Sequence, residues 1–311
     1  MKNEANQTGN GSNGAFRNLI IGAVLISFSP VFVKLADIGP TMAGVYRVLF
    51  GGLALVIAAL IRKETFWKGI RPFIRPVIIG LIFSIDLTAW HRSINYIGPG
   101  LATLLGNFQV FILTGYGILI LHEKLTLRFR LSVPLAIIGL VIIFGWDWSH
   151  FTIDYRLGFL LGLATAATYA AFTLTLRYTQ SHHDSLSPLV NLIIISFATA
   201  IFMAIFSLLE HESFVIPNLK SWAAMLGYGL LCQALAWFLI TRSLPSVRAS
   251  LVGLILLLQP TLSFIWDMTL FKRPTSIWEI FGAVLALTAI YLGSTNPKLN
   301  KRRIPTESDP Q

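Results

Sequence analysis

Two ionisable residues stand deep inside apolar runs, Asp86 in "IIGLIFSIDLTAW" and Arg47 in "GVYRVLFGGLALV". A carboxylate in such a setting carries a proton or holds a cationic group, and a guanidinium grips a carboxylate with its forked donors. Each also has a structural reading: Asp86 as half of an Asp–Lys or Asp–Arg pair that ties the bundle, Arg47 as a tie rather than a gate. Lys34 lies near the end of its own run, where a long cationic side chain snorkels to the surface. Lys34 and Arg47 are also within reach of Asp37 at the rim.

A second set of residues is polar and uncharged. Thr103 and Asn107 are four apart and share a helix face, with Gln109 on a neighbouring face. Gln259, Ser263 and Asp267 follow one another at intervals of four. Such stripes face either a partner helix, through hydrogen bonds, or a water-filled cavity. Asp267 is nearer a segment end and reads as interfacial. Trp67, Trp146, Trp148, Trp222 and Trp278 fall near segment ends, the usual place for belt aromatics, whereas Trp90 and Trp237 lie further in. Those two either line a cavity or fill lipid-facing surface. His91, after Trp90, reads as a hydrogen-bonded helix end.

What must position these groups follows from composition. The 311 residues are 55% hydrophobic and 12% charged, with a mean hydropathy of +0.70, against about 25% charged in a typical soluble chain. Too few charges remain to cover a soluble surface, so the solvent is a bilayer. The net charge of +10 does not indicate nucleic acid, because the cations sit in short loops and in the tail "NPKLNKRR". The single cysteine, Cys232, allows no intrachain disulfide, and no Cys/His metal spacing occurs. Residues 1–15 are polar and rich in Gly and Asn, predicting a disordered tail. They lack the basic start and small-residue cleavage site of a signal peptide.

Apolar runs between Pro- and Gly-containing breaks predict an all-α integral membrane protein with ten transmembrane helices. They fall near 16–36, 42–61, 76–95, 99–121, 131–147, 157–178, 188–209, 222–243, 247–270 and 277–294. With both termini cytoplasmic, seventeen Lys and Arg lie inside and five outside, leaving Lys34 and Arg47 within helices. That asymmetry favours this orientation, with both termini inside. On a start near Pro76, Asp86 is about 15 Å deep, close to the midplane of a ~30 Å core.

Sliding the chain by 147 residues aligns Gly80 with Gly227, Ala89-Trp90 with Ala236-Trp237, and Gly106 with Gly253. The same offset places Gln233 opposite Asp86, whereas Gln109 meets Gln259 at 150 and Gly139 meets Gly282 at 143. Five helices per half is an odd number, so the halves, 16–147 and 157–294, insert in opposite directions, with a basic tail at 295–311. Inverted repeats that meet near the midplane are a transporter architecture.

The stretches "FVKL…P…YRVLFGGLALV", "WHRSINYIGPGLATLLGNFQVFILTGYGILILHEKLT" and "IIGLVII" resemble one EamA-type unit of the drug/metabolite transporter superfamily. The second half repeats it in "AWFLITRSLPSVRASLVGLILLLQPTLSFIWDMTLFKRPT" and "FGAVLAL". The resemblance implies ten helices in two inverted units and, frequently, export of amino acids or other metabolites across a bacterial inner membrane. The chain departs from the family pattern at Val110, where a proline is usual (Pro260 keeps it in the second half), and at "FKRPT", which lacks the acid of "HEKLT".

The reading is therefore a secondary transporter of a small molecule, without a cofactor, possessing no G-x-x-x-x-G-K-[ST] loop for a nucleotide. Asp86, Arg47, Trp90, Thr103, Asn107, Gln233, Trp237, Gln259 and Ser263 are its candidate substrate or coupling residues. The alternative on the same fold is a flippase for a lipid intermediate. An enzyme would need a nucleophile and base or a metal; His122, His150, His182, His183 and His211 are in loops without partnered spacing, and neither G-x-S-x-G nor H-E-x-x-H occurs. The expected partners are a small-molecule substrate and the bilayer, with no nucleic acid; monomer and homodimer both stay open.

Overall fold

The computed structural model describes residues 2–120, 127–145, 151–180, 182, 184–243 and 255–294. The described residues are helical with no strand, and large apolar side chains such as Leu53, Ile57, Ile85, Ile201 and Val284 are exposed around the bundle. Six helices are long and apolar enough to cross a membrane: Gly14–Leu35, Pro40–Ile61, Ile70–Ile97, Ile153–Leu176, Pro188–Leu209 and Leu219–Ile240. The protein is a multi-pass membrane protein.

In chain order the helices are α1 (Lys2–Ser27), α2 (Ser29–Leu35), α3 (Pro40–Ile61), α4 (Ile70–Ile97), α5 (Pro99–Gly106), α6 (Gln109–Leu119) and α7 (Leu127–Leu140). After α7, Val141–Gly145 winds as a π-helix. There follow α8 (Ile153–Gln180), α9 (Pro188–Leu209), α10 (Leu219–Gly227), a π-helical segment (Tyr228–Ala236), α11 (Trp237–Ser243), α12 (Leu258–Leu270) and α13 (Ile277–Ser294). The first helix reaches back to Lys2, into the stretch whose composition predicts disorder. The "HEKLT" motif, residues 244–254 (including the start of the helix expected at 247–270) and the tail at 295–311 lie outside the described residues.

Several expected boundaries shift for local reasons. The first run breaks at Phe28, because Pro30 has no N–H to give to Ile26. The Ser27 carbonyl beside the break accepts from Ser263 Oγ at 3.1 Å, and Leu25 O accepts from Cys232 Sγ at 3.1 Å. The third run starts at Ile70 rather than at Pro76, which is tolerated inside the helix. Asp86 is consequently central in a longer helix than the sequence predicts. The fourth run divides at Asn107–Phe108, where the bonds tighten to Val110 N→Asn107 O and Phe111 N→Phe108 O.

The packing has a repeated pattern. α4 lies against α8 and α9; α1 and α3 lie in the same way against the π-helical segment, and α1 also against α11. α3 packs on α9, α5 on α12, and α7 on α13. At the last contact, a Cβ on Gly139 would lie 2.9 Å from Gly282 O, and one on Gly282 would lie 2.9 Å from Gly139 O. Both positions need glycine because each backbone occupies the other's side-chain space.

The two ends of the bundle differ. One carries the loops at 36–39 and 210–218; we call it the Glu212 end. The other carries 62–69 and 184–187 and is the Arg62 end. The helix ends at Arg62 and at Glu210 finish alike: Lys63 and His211 have φ of 53° and 56°, and Glu64 N and Glu212 N reach back to Ala59 O and Ser207 O. This left-handed turn closes the last helical carbonyls and aims Glu212 across at α3.

Candidate functional site

A cavity of about 220 Å³ lies at the centre of the bundle. Its walls bring together Arg47, Asp86, Trp90, Thr103, Asn107, Trp237 and Gln259, together with Gln109, Thr165 and Tyr169. Seven of the nine predicted site residues thus share one space. The lining comes from α3, α4, the α5–α6 break, α8, α11 and the start of α12, elements far apart in the chain.

Arg47 is only 5% exposed. Its Nε donates to Gln233 Oε1 at 2.9 Å, and its Nη1 donates to Tyr228 Oη at 2.8 Å. The guanidinium lies 4.8 Å from the Tyr228 ring centroid, 5.8 Å from that of Phe83 and 6.0 Å from that of Trp90, an aromatic enclosure that suits a desolvated cation. Because Arg47 only donates, the Tyr228 oxygen is the acceptor there, and the same Oη is hydrogen-bonded to His91 Nε2 at 2.9 Å. Gln233 is held in turn by its Nε2 donating to Ser196 Oγ at 3.4 Å. The π-helical winding of Tyr228–Ala236 carries both Tyr228 and Gln233, the two groups that grip Arg47.

Asp86 is 3% exposed and accepts from Thr168 Oγ1 at 2.9 Å. The ion pairs among the described residues are Arg75–Asp184, Arg92–Glu210, Arg273–Asp267 and Arg273–Glu279, so Asp86 and Arg47 are not paired with each other or with Lys34. The two groups line one cavity with no salt bridge between them.

The polar stripes divide. Thr103 Oγ1 donates to Pro99 O and Asn107 Nδ2 to Thr103 O, both at 2.8 Å, so on the cavity wall they serve their own helix. Gln109 Oε1 is buried and has no hydrogen bond. The break at 107–108 is matched at Leu257, just before Gln259, where the second half turns in the same way. Ser263 lies away from the cavity, fully buried on Ser27 O. Asp267 is buried within the protein: it is 2% exposed and accepts from Gly100 N at 3.1 Å, capping α5. Gln233 faces a second cavity, described below, and touches the central one only through Arg47.

Two other readings change. His91 is not at a helix end but fully buried within α4, inside the Arg47 network. Arg47 turns inward, away from Asp37, which accepts from Asn218 Nδ2 and takes Ser221 Oγ on its backbone N–H. Lys34 is exposed, consistent with snorkelling. Sequence reasoning missed Tyr228, Tyr169 and Thr168; their only signal was the polar atom of each side chain within an apolar run.

The EamA-like transporter family matches residues 17–145 and again 156–295. The chain belongs to the EamA-like transporter family. It is a membrane transporter, and the boundary between the two matches falls between α7 with its π-helical end and α8. This family member is 26% identical over 280 residues to the uncharacterized transporter YvbV of Bacillus subtilis, covering 84% of this chain and 85% of that one. It is 22% identical over 281 residues to YetK of the same organism, also an uncharacterized transporter, covering 88% and 82%. A solved structure described only as "Crystal structure of protein" matches with a TM-score of 0.62 at 17% identity, covering 94% of this chain and 99% of that one, which is a likeness of fold.

Proposed function

We propose that the chain exports a small zwitterionic metabolite of the amino-acid type by alternating access, in exchange for protons. One observation carries this reading: Arg47 and Asp86 line the same central cavity without pairing to each other. A carboxylate fits the Arg47 fork, and an ammonium group fits Asp86. A proton on Asp86 would compete with that ammonium group, which is what exchange requires. Arg47, Asp86, Trp90, Thr103, Asn107, Trp237 and Gln259 then form the substrate site, Gln233 positions Arg47, and Ser263 holds the break in the first helix.

The membrane arrangement belongs to the same proposal. The α5–α6 pair, α7 with its π-helical end, α12 and α13 complete ten crossings in two inverted repeats. The mirrored packing and the reciprocal Gly139–Gly282 contact support that symmetry. The excess of Lys and Arg supports placing the Arg62 end and both termini in the cytoplasm of an inner membrane.

The test compares metabolites inside and outside cells producing the intact protein, Asp86→Asn, or neither, at matched membrane amounts. Intact protein is expected to move a small set of zwitterions outward, and Asp86→Asn to lose that movement by at least tenfold. Equal movement by both would remove Asp86 from coupling. Movement of a lipid but no solute would favour the flippase reading.

A further inference from the structure

A second cavity, of about 360 Å³, runs from the centre toward the Arg62 end. Its walls are apolar, from Leu55 of α3, Phe172 of α8, and Leu189 and Leu192 of α9, while Arg62 and Glu64 stand at the rim. Phe83 and Trp237 border both this vestibule and the central cavity, so the two spaces adjoin across those two rings. Gln233 also lines the vestibule while its Oε1 holds Arg47 Nε. The ring of Phe83 is stacked on Phe172 at 4.7 Å, which makes a smooth apolar wall from one space into the next.

Size is the second consideration. The central cavity, at about 220 Å³, falls short of the ~300–1,000 Å³ usual for small-molecule sites. With the vestibule added, the space lies within that range. Arg47 and Asp86 are at one end of it, Arg62 and Glu64 are at the outer rim, and the vestibule walls between them are mostly apolar.

We propose that the vestibule is a side-chain subsite: the cargo's charged head lies between Arg47 and Asp86, and a bulky apolar side chain extends past Phe83 and Trp237 against Leu192. The inference rests on the zwitterion reading above and adds the class of side chain. Gly, Ser and other small or polar zwitterions leave the vestibule unfilled, whereas branched aliphatic or aromatic ones remove its apolar surface from water.

Purified protein in liposomes, assayed by counterflow with labelled phenylalanine, leucine, serine and glycine, tests this. The intact protein should prefer the first two by at least tenfold. Leu192→Trp, which fills the vestibule, should lower phenylalanine and leucine flux at least tenfold and leave serine and glycine within about twofold. Leu192→Ala, which enlarges it, should raise the preference for phenylalanine over leucine, and serves if the bulky variant does not insert. Preference for serine and glycine, or an equal loss for all four, overturns the subsite while leaving zwitterion transport intact. If none of the four moves through the intact protein, the zwitterion reading falls and takes the subsite with it.

Discussion

The two ends of the bundle are built from similar helix terminations and are held very differently. At the Glu212 end, the Glu212 carboxylate accepts from Thr41 N at 3.4 Å and Met42 N at 2.9 Å, capping α3 from a different part of the chain. Glu210 accepts from Thr41 Oγ1 at 2.8 Å and pairs with Arg92, and Tyr46 Oη donates to Phe214 O. Asp37 ties to Asn218 and Ser221 nearby. The Arg62 end has Arg75–Asp184 at 2.7 Å and Lys68 Nζ donating to Ser185 O at 2.9 Å, both at its surface, with the apolar vestibule between its helices. Helix N-termini bristle with unpaired N–H groups and attract carboxylates, so the first end closes through backbone caps. The second relies on one ion pair and one side-chain-to-carbonyl hydrogen bond near the surface, and such surface ties are worth little. In this conformation the Glu212 end is tied by backbone caps, while the central cavity adjoins the vestibule toward the Arg62 end.

Substitutions can sharpen or break that contrast. The largest effect is expected at Arg47, which lies between the closed end and the cavity. Arg47→Gln removes two charge-assisted hydrogen bonds, each worth roughly 1.5–3 kcal/mol, and should reduce liposome transport by about a hundredfold or more. Near-normal transport would show that the network does not control the cavity. Next comes Glu212→Gln, which weakens a cap of about 0.5–2 kcal/mol and so shifts the balance of states roughly two- to thirtyfold toward an open Glu212 end. Labelling of a cysteine placed at Val215 should speed up by that factor; an unchanged rate would mean the cap is not what closes this end.

The smallest effect is expected at Asp184, on the weakly held end. The hydrogen bond from Arg75 keeps its carboxyl below the ordinary Asp value of 3.8. A lowered folded-state value means that its stabilisation is present above 3.8 and lost as pH falls through the lower value. Thermal unfolding in detergent should thus lose a small acid-dependent component in Asp184→Asn, with labelling at Val215 changed less than twofold. A large change in labelling would contradict the view that this end is weakly tied.

The sequence made the deep charges easy to find and their partners hard to find. Asp86 and Arg47 were visible because an ion in an apolar run has few innocent explanations. Tyr228 and Tyr169 were not, since aromatic residues in lipid-facing and cavity-facing positions look alike. The break at Phe28 had a printed cause in Pro30, but the break at Asn107 has no proline and no one-residue signal. The stripe Gln259, Ser263, Asp267 misled because steps of four advance about 6 Å along a helix while the face rotates. The three residues end in three settings: the cavity, the Ser27 carbonyl and the α5 cap. Gly139 and Gly282, which align at an offset of 143, are also in contact in the structure, a contact the alignment did not predict.

The lone thiol has a practical consequence. Cys232 is buried, and its Sγ is engaged with Leu25 O beside the break in the first helix. Thiol reagents in water will not find it, so a cysteine introduced at either end is the one that reacts. The natural chain is already a silent background for spin labels, fluorophores and crosslinkers, and distances between its two ends can be followed through a transport cycle without first removing a native residue.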